Sequence, residues 1–156
     1  MNTQSPATML RTLKMVHLAM FSSVFIFSGI SLYVRNELAI AMEPQTLEMI
    51  YYVSLISILV LIPLGYWLHS KKMKSLGNNP DLLSKLTIYQ TSHITKIALF
   101  ETSGFLSLIV LIMGGSNSIL IQIAIVLIIM LLNTPSVHKL TTELNLSPNE
   151  SDLLML

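Results

Sequence analysis

From Met49 to His69 the chain runs without a single formally charged residue. A helix needs about 20 apolar residues to cross the hydrocarbon of a bilayer, so this run predicts a membrane span. Met15 to Val34 is a second run, broken only by His17. Ile97 to Met113 is a third, carrying one acid, Glu101. Ile119 to Leu132 is only fourteen residues long and reaches useful length by taking in Ser118, Asn133 and Thr134. Gly114-Gly115-Ser116-Asn117 has tight-turn composition, which predicts a hairpin between the third and fourth spans. Backbone groups in lipid must be satisfied internally, and the runs lack the alternation of a barrel strand, so the expected form is helical.

Composition agrees. Of 156 residues, 53% are hydrophobic and 11% charged, with a mean hydropathy of +0.69; a soluble domain carries about a quarter charged residues. The net charge of +1 removes the basic excess that nucleic-acid binding needs. The absence of cysteine excludes disulfides, thiolate metal sites and cysteine nucleophiles. Four spans consume nearly the whole length and leave no room for a separate soluble catalytic domain.

The basic residues set the expected orientation. Arg11 and Lys14 precede span one; Lys71, Lys72, Lys74 and Lys85 separate spans two and three; Lys139 follows span four. The other side has only Arg35, beside Glu37, Glu43 and Glu48. Both termini are therefore expected in the cytoplasm. Tyr33, Tyr51 and Tyr52 are placed at the outer interface and Tyr66, Trp67 and Tyr89 at the inner one. Span one has a basic lead, but its apolar stretch is long and no A-x-A-like site follows, so it reads as a retained helix.

Gly77-Asn78-Asn79-Pro80-Asp81 reads as a helix start, with Asn79 as the cap and Pro80 at the first position. Leu82, Leu83, Leu86, Tyr89, His93 and Ile97 continue at helical spacing. The third helix is thus expected to begin near residue 80 and run to 113, about 50 Å at 1.5 Å per residue, either projecting into the cytoplasm or bending along the interface. Pro63 and Gly65 suggest a kink in span two. Ser22, Ser23, Ser28, Gly29 and Ser31 mark span one as a contact helix. In the tail, residues 135–156, Thr134-Pro135 repeats the cap-then-proline signal, and Val137, Leu140 and Leu144 mark a short amphipathic stretch. Ser147-Pro148-Asn149-Glu150 is a capping-box pattern. Leu153 to Leu156 is apolar, suited to packing under the bundle or docking on a partner.

Few residues can carry chemistry. Glu101 lies inside span three, where an ionisable group costs about 2.5–3.5 kcal/mol on insertion scales and so faces a partner or polar cavity. Its neighbours Thr102, Ser103 and Gly104 are small and allow close helix approach. It is the candidate ion-binding residue with Thr102 and Ser103, and Lys96 is its candidate charge partner; the bland reading is a carboxyl bonded to the next helix. Four histidines, His17, His69, His93 and His138, each fall at the cytoplasmic end of a different span, where four helices could gather imidazoles for haem or metal. None has a helical mate at i, i+3 or i, i+4 or an adjacent carboxylate, so the leading reading assigns no metal ligand and no cofactor. Lys71-Lys72-x-Lys74 suits an anionic lipid surface, although the plainer role is to fix topology. No G-x-G-x-x-G, Walker A, H-E-x-x-H or G-x-S-x-G pattern occurs, and no catalytic residue is assigned.

Residues 17–32 laid on residues 96–111 give five identities in sixteen, an echo that suggests a duplicated helical hairpin of the parallel-repeat kind. The segment Ala98-Leu99-Phe100-Glu101-Thr102-Ser103-Gly104-Phe105-Leu106 resembles the carboxylate helix of rotary ATPase proteolipids, the c-type subunits. That resemblance implies a proton or sodium ion held by Glu101, although the family's glycine-rich first helix is absent here. Most of the chain is similar to uncharacterised four-helix inner-membrane proteins of Bacteroidota-type bacteria. The likeness rests on Val16-His17-Leu18-Ala19, Lys85-x-x-x-Tyr89-Gln90, Ala98-Leu99-Phe100-Glu101, and Pro135 through Leu144-Asn145-Leu146-Ser147; it transfers no activity.

The expectation is therefore an all-α, four-helix integral protein of a bacterial inner membrane. Its expected role is non-enzymatic, in a homo-oligomer or with other membrane subunits. The alternatives are ion translocation through Glu101 and haem or metal binding by the histidines.

Overall fold

The computed structural model describes residues 5–38, 42–76 and 81–155. Among them six helices follow in order: α1 (Pro6–Leu38), α2 (Pro44–Lys74), α3 (Leu82–Ile112), α4 (Ser118–Leu132), α5 (Val137–Leu144) and α6 (Pro148–Asp152). No strand occurs among the described residues. α1, α2 and α3 are each long and apolar enough to cross a membrane. α4 has 15 residues, about 22 Å at 1.5 Å per residue. It passes the same test only together with α5, from which it is bent by 76°.

Helix boundaries depart from the apolar runs where amphipathic turns extend them. α1 begins at Pro6 rather than Met15, because Leu10 and Leu13 bury themselves in a second core. α3 opens on Leu82 with Asp81 as its cap, the carboxylate accepting from Ser84 N at 3.4 Å. Gly77, Asn78, Asn79 and Pro80, the rest of the expected start, lie outside the described residues. α2 continues through Pro63 as one helix. Between α3 and α4, Gly114 adopts φ 88°, which a Cβ would oppose, and Gly115 N bonds Val110 O at 2.9 Å to close the turn. The expected cap at Thr134 is displaced: its hydroxyl bonds back to Leu131 O and finishes α4, while Ser136 caps α5 by accepting from Lys139 N. Ser147 and Glu150 form the capping box of α6 with Pro148 at its first position.

α3 is the axis of the molecule. α2 packs along one flank, α1 along another and α4 between them, while α1 and α2 share almost no contact. The two halves are therefore not alike: α3 and α4 form a packed hairpin, α1 and α2 do not. Glycines set the close approaches. A Cβ on Gly104 would lie 3.1 Å from Val24 Cγ1 and 3.3 Å from Val126 Cγ1; one on Gly65 would lie 3.3 Å from Lys96 O.

The interior divides into two cores. The larger, around Val24, Ile62, Phe100, Leu111 and Val126, joins α1 to α4. The smaller gathers Leu10, Leu13, Leu86, Tyr89, Leu140 and Leu154 where α1 starts and α5 and α6 fold beneath. α3 thus projects beyond the larger core, and the tail closes over the projection, with Lys85 Nζ 3.0 Å from Glu150 Oε1. Tyr89, expected at an interface, belongs to this second core. Leu154 is buried and Leu153 and Met155 are exposed; Leu156 lies outside the described residues. At the opposite end Arg35 donates to Asn117 Oδ1 at 3.0 Å, tying α1 to the α3–α4 turn.

Candidate functional site

The buried face of α3 is not uniformly apolar. Tyr89, Ser92, His93, Lys96, Ser103 and Ser107 all lie on it, interrupted by Ile97 and Phe100. From Tyr89 to Ser107 the stripe extends about 27 Å.

Three of the four histidines meet at its α5 end. His17 from α1 and His93 from α3 approach through Nδ1 and Nε2 at 3.3 Å. The His69 ring from α2 stands 6.3 Å from that of His93. His69 Nε2 is 2.7 Å from Glu143 Oε2, and its Nδ1 is 2.9 Å from Ser92 Oγ. Glu143, on the amphipathic turn of α5, is the carboxylate that sequence spacing did not reveal beside a histidine; it lies 74 residues along the chain. His138 sits on α5 outside the cluster. Among the described residues no group of three or more His, Asp or Glu is arranged to hold a metal ion.

Counting hydrogens fixes how the cluster is wired. Thr134 gives its hydroxyl hydrogen to Leu131 O at 2.7 Å, so at the 3.4 Å contact His17 Nε2 is the donor. Its Nδ1 then accepts from His93 Nε2, which leaves His93 Nδ1 as a lone pair. That atom is buried with no partner. Ser92 likewise gives its hydrogen to Tyr89 O at 2.9 Å. Ser92 Oγ then accepts from His69 Nδ1, and His69 Nε2 and the Glu143 carboxyl share a hydrogen bond on the other side of the ring. The hydrogen bond from His69 is the main reason the Glu143 carboxyl is held below its usual range.

Lys96 is 4% exposed and pairs with no carboxylate among the described residues. Its Nζ lies 5.5 Å over the ring of Tyr66, whose hydroxyl accepts from Asn133 Nδ2 at 2.6 Å. Lys96 and Glu101 are not brought together. Five residues apart on a helix, they point some 140° from one another, Lys96 towards α2 and Glu101 towards α1.

Glu101 is half-buried at the α1–α3 seam, with Ser23 Oγ 2.5 Å from its Oε1. Ser23 Oγ also lies 2.7 Å from Met20 O and has one hydrogen to give. Thr102 is exposed and bonds its own Ala98 O; Ser103 is buried and bonds Phe100 O. Neither hydroxyl hydrogen-bonds the Glu101 carboxyl.

Beyond Phe100 the polar stripe resumes. Gln122 Oε1 of α4 lies 3.0 Å from Ser54 Oγ and 3.3 Å from Ser107 Oγ, hydroxyls that each also face a main-chain carbonyl, and its Nε2 is buried without a partner. Turned over, the amide would donate to both hydroxyls and strand its oxygen instead, so one amide atom stays unpaired either way. One turn nearer the end, Glu48, Tyr51, Tyr52, Ser116 and Ser118 line an open recess of about 380 Å³. Tyr51 O accepts from Ser54 at 2.8 Å, joining the recess to the node. The signal for this part lay in the sequence as Ser54, Ser107 and Gln122, polar residues in apolar runs, but only the packing of α2, α3 and α4 makes them neighbours.

No protein-family model, curated protein or solved structure matches this chain.

Proposed function

We propose that this chain is a four-span, non-enzymatic protein of a bacterial inner membrane, with both termini cytoplasmic, that moves protons along the buried face of α3. One observation carries the reading. An otherwise apolar interior contains polar groups from Glu143 and the three imidazoles to Ser103, Ser107 and Gln122, over a length close to the roughly 30 Å of bilayer hydrocarbon. Ionisable groups at such depth are expensive and normally mark a pathway.

The membrane placement draws support from the outward faces. Phe25, Ile26 and Ile30 of α1, Ile56, Leu59 and Val60 of α2, and Ile121, Ile128 and Leu131 of α4 are all exposed, as lipid-facing residues are. The start of α1, the end of α2, the start of α3 and the tail gather at one end. That end carries Arg11, Lys14, Lys71, Lys72, Lys74, Lys85 and Lys139, the cytoplasmic sign.

Imidazoles and hydroxyls both accept and donate, so each can hand a proton on. Protons from the α5 side meet Glu143 and His69 and then the His93–His17 pair, whose free Nδ1 is the acceptor. Phe100 separates this group from Ser103, Ser107 and Gln122, which open towards the outer recess. Its ring is the barrier that water or ring motion must bridge.

The test is proton uptake into vesicles holding purified protein and a pH-sensitive dye, driven by a potassium diffusion potential. Uptake above protein-free vesicles, cut at least tenfold by His93→Gln and unchanged by Glu101→Gln, is the expected result. Uptake no faster than in empty vesicles ends the reading. Loss in Glu101→Gln with full rate in His93→Gln transfers the role to Glu101, as the proteolipid resemblance implies.

A second reading, a packing or accessory role within a membrane assembly, draws on Glu101 itself. A half-exposed carboxyl in an apolar belt is costly in lipid and is relieved when a second copy or another subunit covers the α1–α3 seam. Particle mass after gentle detergent extraction tests it: a stable oligomer or hetero-complex supports the reading, and a lone monomer removes it.

A further inference from the structure

We infer that the end of α2 is a docking site for anionic phospholipid headgroups. The inference rests on the membrane reading above and is independent of proton movement. Lys71, Lys72 and Lys74 occupy the last turn of α2. Among the described residues none of them pairs with a carboxylate, whereas Lys85 is taken by Glu150 and His69 by Glu143.

The surface there is shaped as well as charged. Trp67, Ser70, Lys71 and Lys74 line a crevice of about 190 Å³, and Leu68, Lys71, Lys72 and Ser75 line another of about 360 Å³. Lys71 belongs to both. Its Nζ lies 5.0 Å over the ring of Trp67, which is 56% exposed and sits one turn nearer the apolar belt. An acyl chain running along Leu64 and Trp67 would bring its phosphate to the Lys71 ammonium, with Lys72 and Lys74 on either side. The backbone amide of Ser75 serves the carbonyls of Lys71 and Lys72, and among the described residues no ion pair engages the three ammonium groups.

Cations at a helix C-terminus also answer the helix dipole and fix topology. Those roles ask for charge alone, and Arg11 and Lys14 at the start of α1 would fill them equally. A headgroup site asks for these three lysines beside Trp67, and each engaged lysine is worth about fivefold in lipid preference.

The probe is full-length protein extracted from mixed phosphatidylglycerol and phosphatidylcholine bilayers, with retained lipids counted by native mass spectrometry. The wild type is expected to keep phosphatidylglycerol over phosphatidylcholine by fivefold or more. Lys71→Gln/Lys72→Gln/Lys74→Gln falls to parity, the triple Lys→Arg variant restores the preference, and Arg11→Gln/Lys14→Gln keeps it. Circular dichroism confirms that each variant is folded. Parity in the wild type, equal loss in the Arg11/Lys14 variant, or displacement of the lipid by free glycerol phosphate each overturns the site. A carbonate wash of native membranes separates the two levels. Protein stripped by the wash defeats the membrane reading and the site with it, while protein that stays but shows parity defeats the site alone.

Discussion

His69 Nε2 and Glu143 Oε2 lie 2.7 Å apart, and through that contact α5 is fastened across the end of the helical body to α2. The hydrogen bond from His69, against the opposing effect of burial, holds the Glu143 carboxyl below its usual range; the charges of His69, Lys96 and Lys139 add to the lowering. A carboxyl whose value is lower when folded contributes stability that is fully present above the ordinary glutamate range, near about 4.3. The contribution is lost as pH falls through the folded value. Amide exchange along α5 should therefore accelerate in acid below about pH 4, and in Glu143→Gln this acid onset should vanish. An identical onset in the variant would show that another group controls the release of α5.

Gly65→Ala is expected to destabilise the α2–α3 packing. The new methyl carbon would stand 2.9 Å from Phe100 Cε1 and 3.3 Å from Lys96 O, and the backbone oxygen cannot step aside. Overpacking of this kind costs about 1–3 kcal/mol. Unfolding in mixed micelles reads the loss, and Phe100→Leu in the same chain should recover part of it by removing the ring edge.

Gln122→Leu separates conduction from mere cohesion. Ser54 and Ser107 keep main-chain acceptors at Tyr51 O and Ser103 O when the amide is gone, and an unpaired buried amide atom disappears with it. Stability should change by less than about 1 kcal/mol, since removing an incompletely satisfied polar group is often nearly neutral. Proton uptake should fall severalfold. A variant both stable and fully active would place Gln122 off the route.

Ser147→Ala is expected to fray α6. Ser147 Oγ accepts from Glu150 N, and Glu150 Oε2 accepts from Ser147 N at 2.8 Å. Losing a serine cap costs about 1 kcal/mol, and a five-residue helix has little else to hold it. Exchange of amides in residues 148–155 should rise, while α3 remains protected. Unchanged exchange would mean that Leu154, buried in the second core, anchors the segment by itself.

Hydropathy made the long helices legible, because a charge-free run such as Met49–His69 is long enough to span and has little else to become. It could not find their amphipathic extensions: Leu10 and Leu13 are apolar only on the face that meets α5 and α6. Cap chemistry was readable at Ser147, where serine, proline and glutamate agree. It misled at Thr134, whose hydroxyl found its own helix first. Of the four histidines expected at one end of the helices, His17, His69 and His93 meet and His138 lies outside the cluster. Their encounter with Glu143 was hidden because the 76° bend between α4 and α5 carries that residue back to α2, and no local pattern records a bend. The pairing of Lys96 with Glu101 failed on angle, since a five-residue separation sends the two side chains to different helices.

The position of α3 between α1 and α2 governs assembly order. In the proposed membrane setting helices would enter the bilayer from the N-terminus onward, and here the first two share almost no contact. On that reading both would stand as solitary rods until the third emerges from the ribosome, with the buried Ser54 left uncovered. A chain stopped at Leu76 should insert two helices that never associate. Extension to Gly115 should convert them, in one step, into a protease-resistant core.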